Sequence, residues 1–312
     1  MINRRKALLQ LGAVSAAPFL SKGLFASTSE TQSNHQFRYC LNTSTIAGQK
    51  FALRQVIETA SEAGYDGIKL WVREVKAYRD TGNSLKELKS YIDDLGLQVE
   101  NAIGFAPWIV NDDEVRAAGM KQMEEEMLMM AELGCKRIAA PPIGAHGEGT
   151  IDLQVAGQRF RELIELGEKT GVMPMLEIWG ASKNLYDLGQ ALQVAAAANH
   201  PDVKLLLDVY HLFRGGSGFD SLKLLNGNCI EVFHMNDYPG SIPREKQDDS
   251  DRVFPGDGVA PIVQVLKDLH SAGGSKVLSR ELFNADYYKR DALDVAKTGL
   301  QKMKALVNEA IT

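Results

Sequence analysis

Residues 203–213 read VKLLLDVYHLF: an apolar run from Val203 to Leu207 ends in Asp208, and His211 stands three places further on. A short apolar run bounded by polar residues has the form of a buried strand. A carboxylate at its tip belongs to whatever lies beyond the strand's end. The same pattern recurs along the chain. Strand-like runs occur at FRYCLNTS (37–44), GIKLWV (67–72), QVENAIGF (98–105), KRIAAPP (136–142), VMPMLEIW (172–179), VKLLLDV (203–209), IEVFHMND (230–237) and SKVLSREL (275–282). Between them lie amphipathic stretches such as LRQVIETASEAG and AGMKQMEEEMLMMAELG, most closing in the glycine that caps a helix. Helix–Gly–strand units repeated about every 30–40 residues imply parallel strands joined by right-handed crossovers. Eight units predict a single-domain (β/α)8 barrel of the TIM type, with an open doubly wound sheet second. No GxGxxG follows the first strand, which counts against a dinucleotide-binding sheet.

Bulk properties narrow the function. The chain has 312 residues, 45% hydrophobic and 24% charged, with a formal charge of −5. An acidic balance without a basic stripe argues against nucleic acid as a partner. Cys40, Cys135 and Cys229 are far apart and read as buried thiols. The N-terminal segment differs from the rest. MINRRKALLQLGAVSAAPFLSKGLFA has a basic start, an apolar stretch from Ala7 to Leu20 and small residues near Ala26. That stretch is short for a bilayer span, and Arg4-Arg5 ahead of it resembles a twin-arginine export signal. The expected organisation is a signal peptide over 1–26, a polar tether over 27–36 and the barrel over 37–312. The mature protein would then be periplasmic, with no membrane span. Without residues 1–36, which carry a net +3, the barrel's charge falls to about −8.

In such barrels the active site lies at the C-terminal ends of the strands. The last four strands each carry a metal-capable side chain there: Glu177 in MLEIW, Asp208 in LLLDV, His234 in VFHMND and Glu281 in SREL. Neighbouring strands converge on one axis, so these four can meet although distant in sequence. Two glutamates, an aspartate and an imidazole form an O/N set suited to one divalent ion, Mn²⁺ first and Mg²⁺, Co²⁺ or Zn²⁺ as alternatives. Such an ion acidifies the C–H beside a sugar carbonyl, and a carboxylate removes the proton while another returns it. Glu177 and Glu281 are the candidates for both duties. His211 is placed to donate to the substrate oxygen, or else caps the next helix. The long polar stretch 236–258 reads as an active-site loop in which Arg244 and Arg252 offer planar donor forks. Within it, Asn236 and Asp237 could hold the loop. Trp71, Trp108 and Trp179 follow strands and offer faces to a sugar ring or pack in the core. His146, in the loop after the fourth strand, is a further candidate contact.

These residues resemble the sugar phosphate isomerase/epimerase family, the xylose-isomerase-like TIM barrels, and most closely the inosose-isomerase-like subgroup. The resemblance spans essentially all of 37–312 through LEIWG, LLLDVYHLFRGG, VFHMNDYPGSIPREKQDDSDRVFPGDG and LSRELFN. It implies metal binding by Glu177, Asp208, His234 and Glu281, and substrate contacts by His211 and Arg252. It also implies a small carbohydrate substrate and a homo-oligomer. The expected activity is isomerisation or epimerisation of a keto-sugar or keto-cyclitol through an enediolate. The alternative is a metal-dependent lyase or dehydratase acting on 3-keto-glycosides or inososes. Further away stand an AP-endonuclease-like hydrolase, which needs more histidines and a basic groove, and a non-enzymatic sugar-binding barrel.

Overall fold

A computed structural model describes residues 37–147 and 149–312. The export signal and tether expected over 1–36 lie outside the described residues. Eight parallel strands close into a barrel in the order β1 to β8. They are β1 Phe37–Asn42, β2 Gly67–Trp71, β3 Gln98–Ile103, β4 Arg137–Ala140, β5 Met173–Glu177, β6 Leu205–Asp208, β7 Val232–Met235 and β8 Lys276–Arg280. Closure is made by β1 pairing with β8, Phe37 opposite Lys276 through Leu41 opposite Arg280. Each expected strand is present, and all stop one or two residues earlier than the apolar runs. At the tips the chain peels away to build loops or, after β2 and β6, turns directly into a helix.

The outer layer is α1 Leu53–Ala63, α2 Val72–Asp80, α3 Leu85–Asp94, α4 Asp113–Glu132, α5 Leu153–Thr170, α6 Leu188–Ala198, α7 Val209–Gly215, α8 Ile262–Ser271 and α9 Ala292–Ile311. Two helices follow β2, and α7 is only two turns long. Glycine caps act as the sequence implied: Gly64 ends α1 at φ 89° and Gly171 ends α5 at φ 76°. The largest core lies between strands and helices, while a second fills the barrel interior. The interior cluster takes one residue from each strand: Cys40, Trp71, Ile103, Ala139, Met175, Leu206, Val232 and Val277. Strand side chains alternate faces with period 2. The next inward positions after Met175, Leu206 and Val232 are therefore Glu177, Asp208 and His234, and Glu281 lies two inward steps beyond Val277. Filling the floor with apolar residues thus delivers four polar ones to the top. Cys40 and Cys135 are buried free thiols, and Cys229 is half-buried.

At one helix contact packing is tightest. A Cβ built on Gly157 of α5 would stand 2.3 Å from Ala197 Cβ and 2.8 Å from Ala197 C and Ala198 N of α6. Alanine in a helix interior gains up to about 1 kcal/mol over glycine. Overpacking against backbone that cannot swing away costs about 1–3 kcal/mol. Clash should win: Gly157→Ala is expected to lower stability by about 1–2 kcal/mol in chemical denaturation. An unchanged or raised midpoint would show that α6 yields freely.

Candidate active site

The four strand-tip residues meet. His234 Nδ1 lies 3.2 Å from Glu281 Oε2, 3.4 Å from Asp208 Oδ2 and 3.9 Å from Glu177 Oε1. Asp208, His234 and Glu281 each turn one ligand atom to a common point, with all three atoms within 4.8 Å of one another. Despite this crowding, His234 Nδ1 and Glu177 Oε2 are buried and make no hydrogen bond. Buried polar atoms nearly always find partners. Two unpartnered ones facing a ring of carboxylates fit a site whose missing partner is a cation.

Asp208 answers the question raised by VKLLLDVYHLF by doing two things. As N-cap of α7, its Oδ1 accepts from His211 N at 2.9 Å. Its Oδ2 accepts from Asn236 Nδ2 at 2.9 Å and from Arg252 Nη1 at 3.2 Å, on the side of the cluster. His211 therefore sits in the first turn of α7, its ring held by Gly180. The Gly180 N–H donates to Nδ1 at 3.2 Å, which leaves the proton of the neutral ring on Nε2. Burial, reinforced by Arg252, pushes the His211 pKa down and keeps it neutral.

Arg252 is the keystone of the cluster's upper side. Its guanidinium is buried, 3.1 Å from Glu281 Oε2, 3.2 Å from Asp208 Oδ2 and 3.1 Å from His211 Nε2, with Asp249 as a further partner. It also lies over the rings of Tyr210 and Phe283. Burial opposes its charge, but Asp208, Asp249 and Glu281 outweigh burial and raise its pKa.

The cluster's lower side has a cation that the sequence reading missed. Lys69 on β2 is fully buried, its Nζ 2.8 Å from His234 Nε2 and 3.5 Å from Glu281 Oε1. Which atom carries the proton in the first contact depends on what Nδ1 binds. Asn42 on β1 was also missed: its amide donates to Glu281 Oε1 while its carbonyl accepts from Trp71 Nε1 at 3.0 Å. One signal was available. Lys69 is two residues before Trp71, an inward position in a strand buried throughout.

The carboxylates are pushed in different directions. Burial dominates at Glu177 and, despite Lys69 and His234, raises its pKa to about 7. Burial also opposes ionisation of Glu281, but His234, Lys69 and Arg252 overcome it and hold Glu281 well below the ordinary range. Asp208 is lowered in the same way, against its burial and chiefly by Arg252.

A cavity of about 410 Å³ opens above the cluster. Of the four residues only Glu177 and Glu281 line it; Asp208 and His234 lie beneath. His211, Arg252, Trp71, Trp179 and His146 also line it, as expected. Two expected contacts do not. Trp108 is fully buried, its Nε1 donating to Pro141 O at 2.8 Å and its ring packed on Phe160 in the outer core. Arg244 is exposed beside Gly216, outside the cavity lining, because its short 3-10 turn faces solvent. Arg214, Tyr210, Phe105 and Phe283 take the places on the wall instead.

These features define a carboxylate-rich, cation-binding enzyme site on a (β/α)8 barrel. The chain belongs to the xylose isomerase-like TIM barrel family, whose profile matches residues 57–306. It is 28% identical to an inosose isomerase of Bacillus velezensis over 87% of this chain and 98% of that protein. A 3-dehydroshikimate dehydratase of Pseudomonas putida is 23% identical, over 80% of this chain and 39% of the relative. Among solved structures, the IOLI protein with a bound zinc atom superposes with a TM-score of 0.81 at 25% identity, covering 88% and 99% of the two chains. With such relatives the chain is an enzyme.

One side chain gathers several ties in the loop that carries Arg252, beside the bonds that Asn284 makes to Arg252 O and Gln247 to Pro239 O and Ile242 O. Asp237, just after β7, accepts from the backbone N–H groups of Tyr238, Gly256, Gly258 and Ala260 at 2.8–3.1 Å. Its backbone also pairs with Val253, next to Arg252. Asp237→Asn keeps one acceptor oxygen but turns an amide N–H₂ toward N–H donors. Expected are a loss of about 2–3 kcal/mol in chemical denaturation and faster proteolysis within 238–261. Wild-type protection of that segment would show that the loop is anchored elsewhere.

Proposed function

We propose that this chain is a divalent-metal-dependent isomerase or epimerase of a keto-sugar or keto-cyclitol, working by α-proton abstraction. The observation that carries the proposal is the pair of carboxylates on the cavity floor. Glu281 is held ionised and Glu177 is held ready to keep a proton, with the ligand cluster directly below. Titratable pairs whose environments push them apart mark the base and the acid.

Glu177, Asp208, His234 and Glu281 would hold the ion; their mixed donors suit Mn²⁺, Mg²⁺, Co²⁺ or Zn²⁺. When bound, it supplies Lewis-acid stabilisation of the oxygen beside the carbon that loses its proton. Glu281 takes that proton; Glu177, its own proton given up on becoming a ligand, draws one from solvent and delivers it to the neighbouring carbon, or to the opposite face of the same carbon. His211 Nε2–H and Arg252 Nη2 are two donors 3.1 Å apart on the cavity side. Two donors face one another comfortably only across a shared acceptor, which the charge-bearing substrate oxygen provides. Elimination is the second reading, favoured by the dehydratase among the relatives. It uses the same first step and differs only in a group leaving β to the enolate.

A screen of ketoses and inososes in D₂O tests this. Metal-loaded wild type should wash deuterium into the substrate α-carbon, and Glu177→Gln and Glu281→Gln should each lose at least about 10²-fold of that rate. Wild-type exchange in both variants would sink the assignment. Metal binding should itself depend on pH, because Glu177 must give up its proton to become a ligand. Below about 7 its carboxyl is protonated, and His234, raised against its burial chiefly by Glu281, must lose a proton as well. Apparent affinity should therefore fall as pH drops, by up to about tenfold per pH unit for each proton. Titration calorimetry in buffers of different ionisation heat would detect the released proton; no release at pH 6 would contradict it.

Export completes the proposal. Arg4-Arg5 ahead of an apolar stretch would carry the barrel out already folded, with its metal loaded in the cytoplasm. Cell fractionation of the full chain and of an Arg4→Lys/Arg5→Lys variant tests it. Equal distribution of the two would remove the idea.

A further inference from the structure

The cavity above Glu177 and Glu281 has two unlike halves. On one side runs a continuous aromatic arc. Ring centroids are 6.2 Å apart for Phe283 and Trp71, 5.3 Å for Trp71 and Phe105, 6.4 Å for Phe105 and Trp179, and 5.6 Å for Trp179 and His146. Trp71 is buried at the floor; Phe105, Trp179 and Phe283 are half-buried, and His146 is exposed. The arc therefore climbs from the reacting carboxylates to the rim.

The other side is polar without being positive. It carries Arg214, Gln247, Asp248, Asp249 and Arg252. Arg252 is matched by carboxylates, whereas Arg214 is held by backbone carbonyls. Arg252 is held by Asp208, Glu281 and Asp249, and Arg214 donates from Nε to Gln247 O and from Nη2 to Glu245 O. The charged lining is then four carboxylates (Glu177, Asp248, Asp249, Glu281) against two guanidiniums. Even a bound divalent ion only balances it. A phosphate or carboxylate on the substrate would meet one guanidinium without a carboxylate partner among the described residues, Arg214, beside the two acids Asp248 and Asp249 at the mouth.

Resting on the proposed keto-sugar chemistry, we infer that the substrate is uncharged and has two parts. A polyol ring lies over Glu177 and Glu281, and an apolar or aromatic ring attached to it lies along Phe105 and Trp179. The site takes a glycoside-like molecule with an apolar aglycone, not a sugar phosphate. At about 410 Å³, the cavity is in the size range that encloses drug-sized ligands, with room beyond one six-membered ring. The apolar faces of the arc supply the affinity, and the carboxylate-rich half rejects anions.

Calorimetry on the metal-loaded protein with phenyl β-glucoside, methyl β-glucoside and glucose 6-phosphate tests this without requiring turnover. The phenyl compound should bind about tenfold more tightly than the methyl one, and the phosphate ester no more tightly than the methyl glucoside. Trp179→Ala should cut the phenyl preference to about threefold or less, and Trp179→Phe should restore most of it. If Trp179→Ala does not fold, as judged by circular dichroism, Phe105→Ala serves the same purpose. Equal affinities for the two glucosides, including no detectable binding of either, would overturn the inference. Tightest binding by the phosphate, or a preference untouched in the alanine variant, would do so as well. Failure of proton exchange with every ketose would instead sink the proposed chemistry, leaving this preference to stand or fall by itself.

Discussion

Three carboxylates and an imidazole are buried together at the top of the barrel, and the rest of the site is organised around making that tolerable. Each buried ion costs several kcal/mol of desolvation unless it is paired and hydrogen-bonded. Pairing here comes from two directions. Arg252 reaches Asp208 and Glu281 from the loop above, and Lys69 reaches His234 and Glu281 from the strand layer below. Asn42 and Asn236 occupy further lone pairs. The two cations leave one carboxylate short of a partner, and Glu177 is the one whose pKa rises.

That arrangement makes demands on distant parts of the chain. Arg252 is useful only if its loop is held, to which the four amides gathered on Asp237 and the Asn284 bond to Arg252 O both contribute. Lys69 is useful only if β2 is in register, and β2 pairs with β3 across an irregularity between Ile68 and Lys69. Met175, Leu206 and Val232, one inward step before the tip residues on their strands, keep water from the underside of the cluster. The short helix α7 adds a constraint of its own. Its first turn begins on Asp208, so cap and ligand share one carboxylate, and His211 is fixed three residues away.

Much of this was legible in the sequence because barrel strands are buried on both faces and read as apolar runs between glycine-capped helices. A metal-capable side chain at the tip of such a run is conspicuous, which is how Glu177, Asp208, His234 and Glu281 stood out. Lys69 did not stand out because its partner His234 is 165 residues away. Within GIKLW it looks like any polar residue in an alternating strand. The tryptophans show the same limit from the other side. Trp71 ends β2 facing inward, whereas Trp108 lies in the loop after β3, where the chain has already turned toward the outer core. Proximity to a strand tip is visible in a sequence; the direction of a side chain beyond the last paired residue is not. Arg244 and Arg252 differ for a related reason, since both lie in one loop and only Arg252 is held there by long-range partners, the pairing of Asp237 with Val253 and the bond from Asn284 to its carbonyl.

Depth separates two duties within the cluster. Asp208 and His234 lie beneath the cavity and can only hold, whereas Glu177 and Glu281 line it and can touch substrate as well. Removing a proton beside a carbonyl requires the floor alone. The fate of the resulting enolate depends on where the substrate's second proton site or leaving group sits, and the floor does not choose that. In the proposed reading the walls would: Phe105 after β3, Trp179 after β5, the 238–261 loop after β7 and Phe283 after β8 contribute the lining above the two glutamates. Isomerases and dehydratases can therefore share one set of strand tips and differ in their loops. For this chain, the strand-tip cluster carries the proposed first chemical step, and the aromatic arc with its acidic counterpart would select the molecule on which that step is taken.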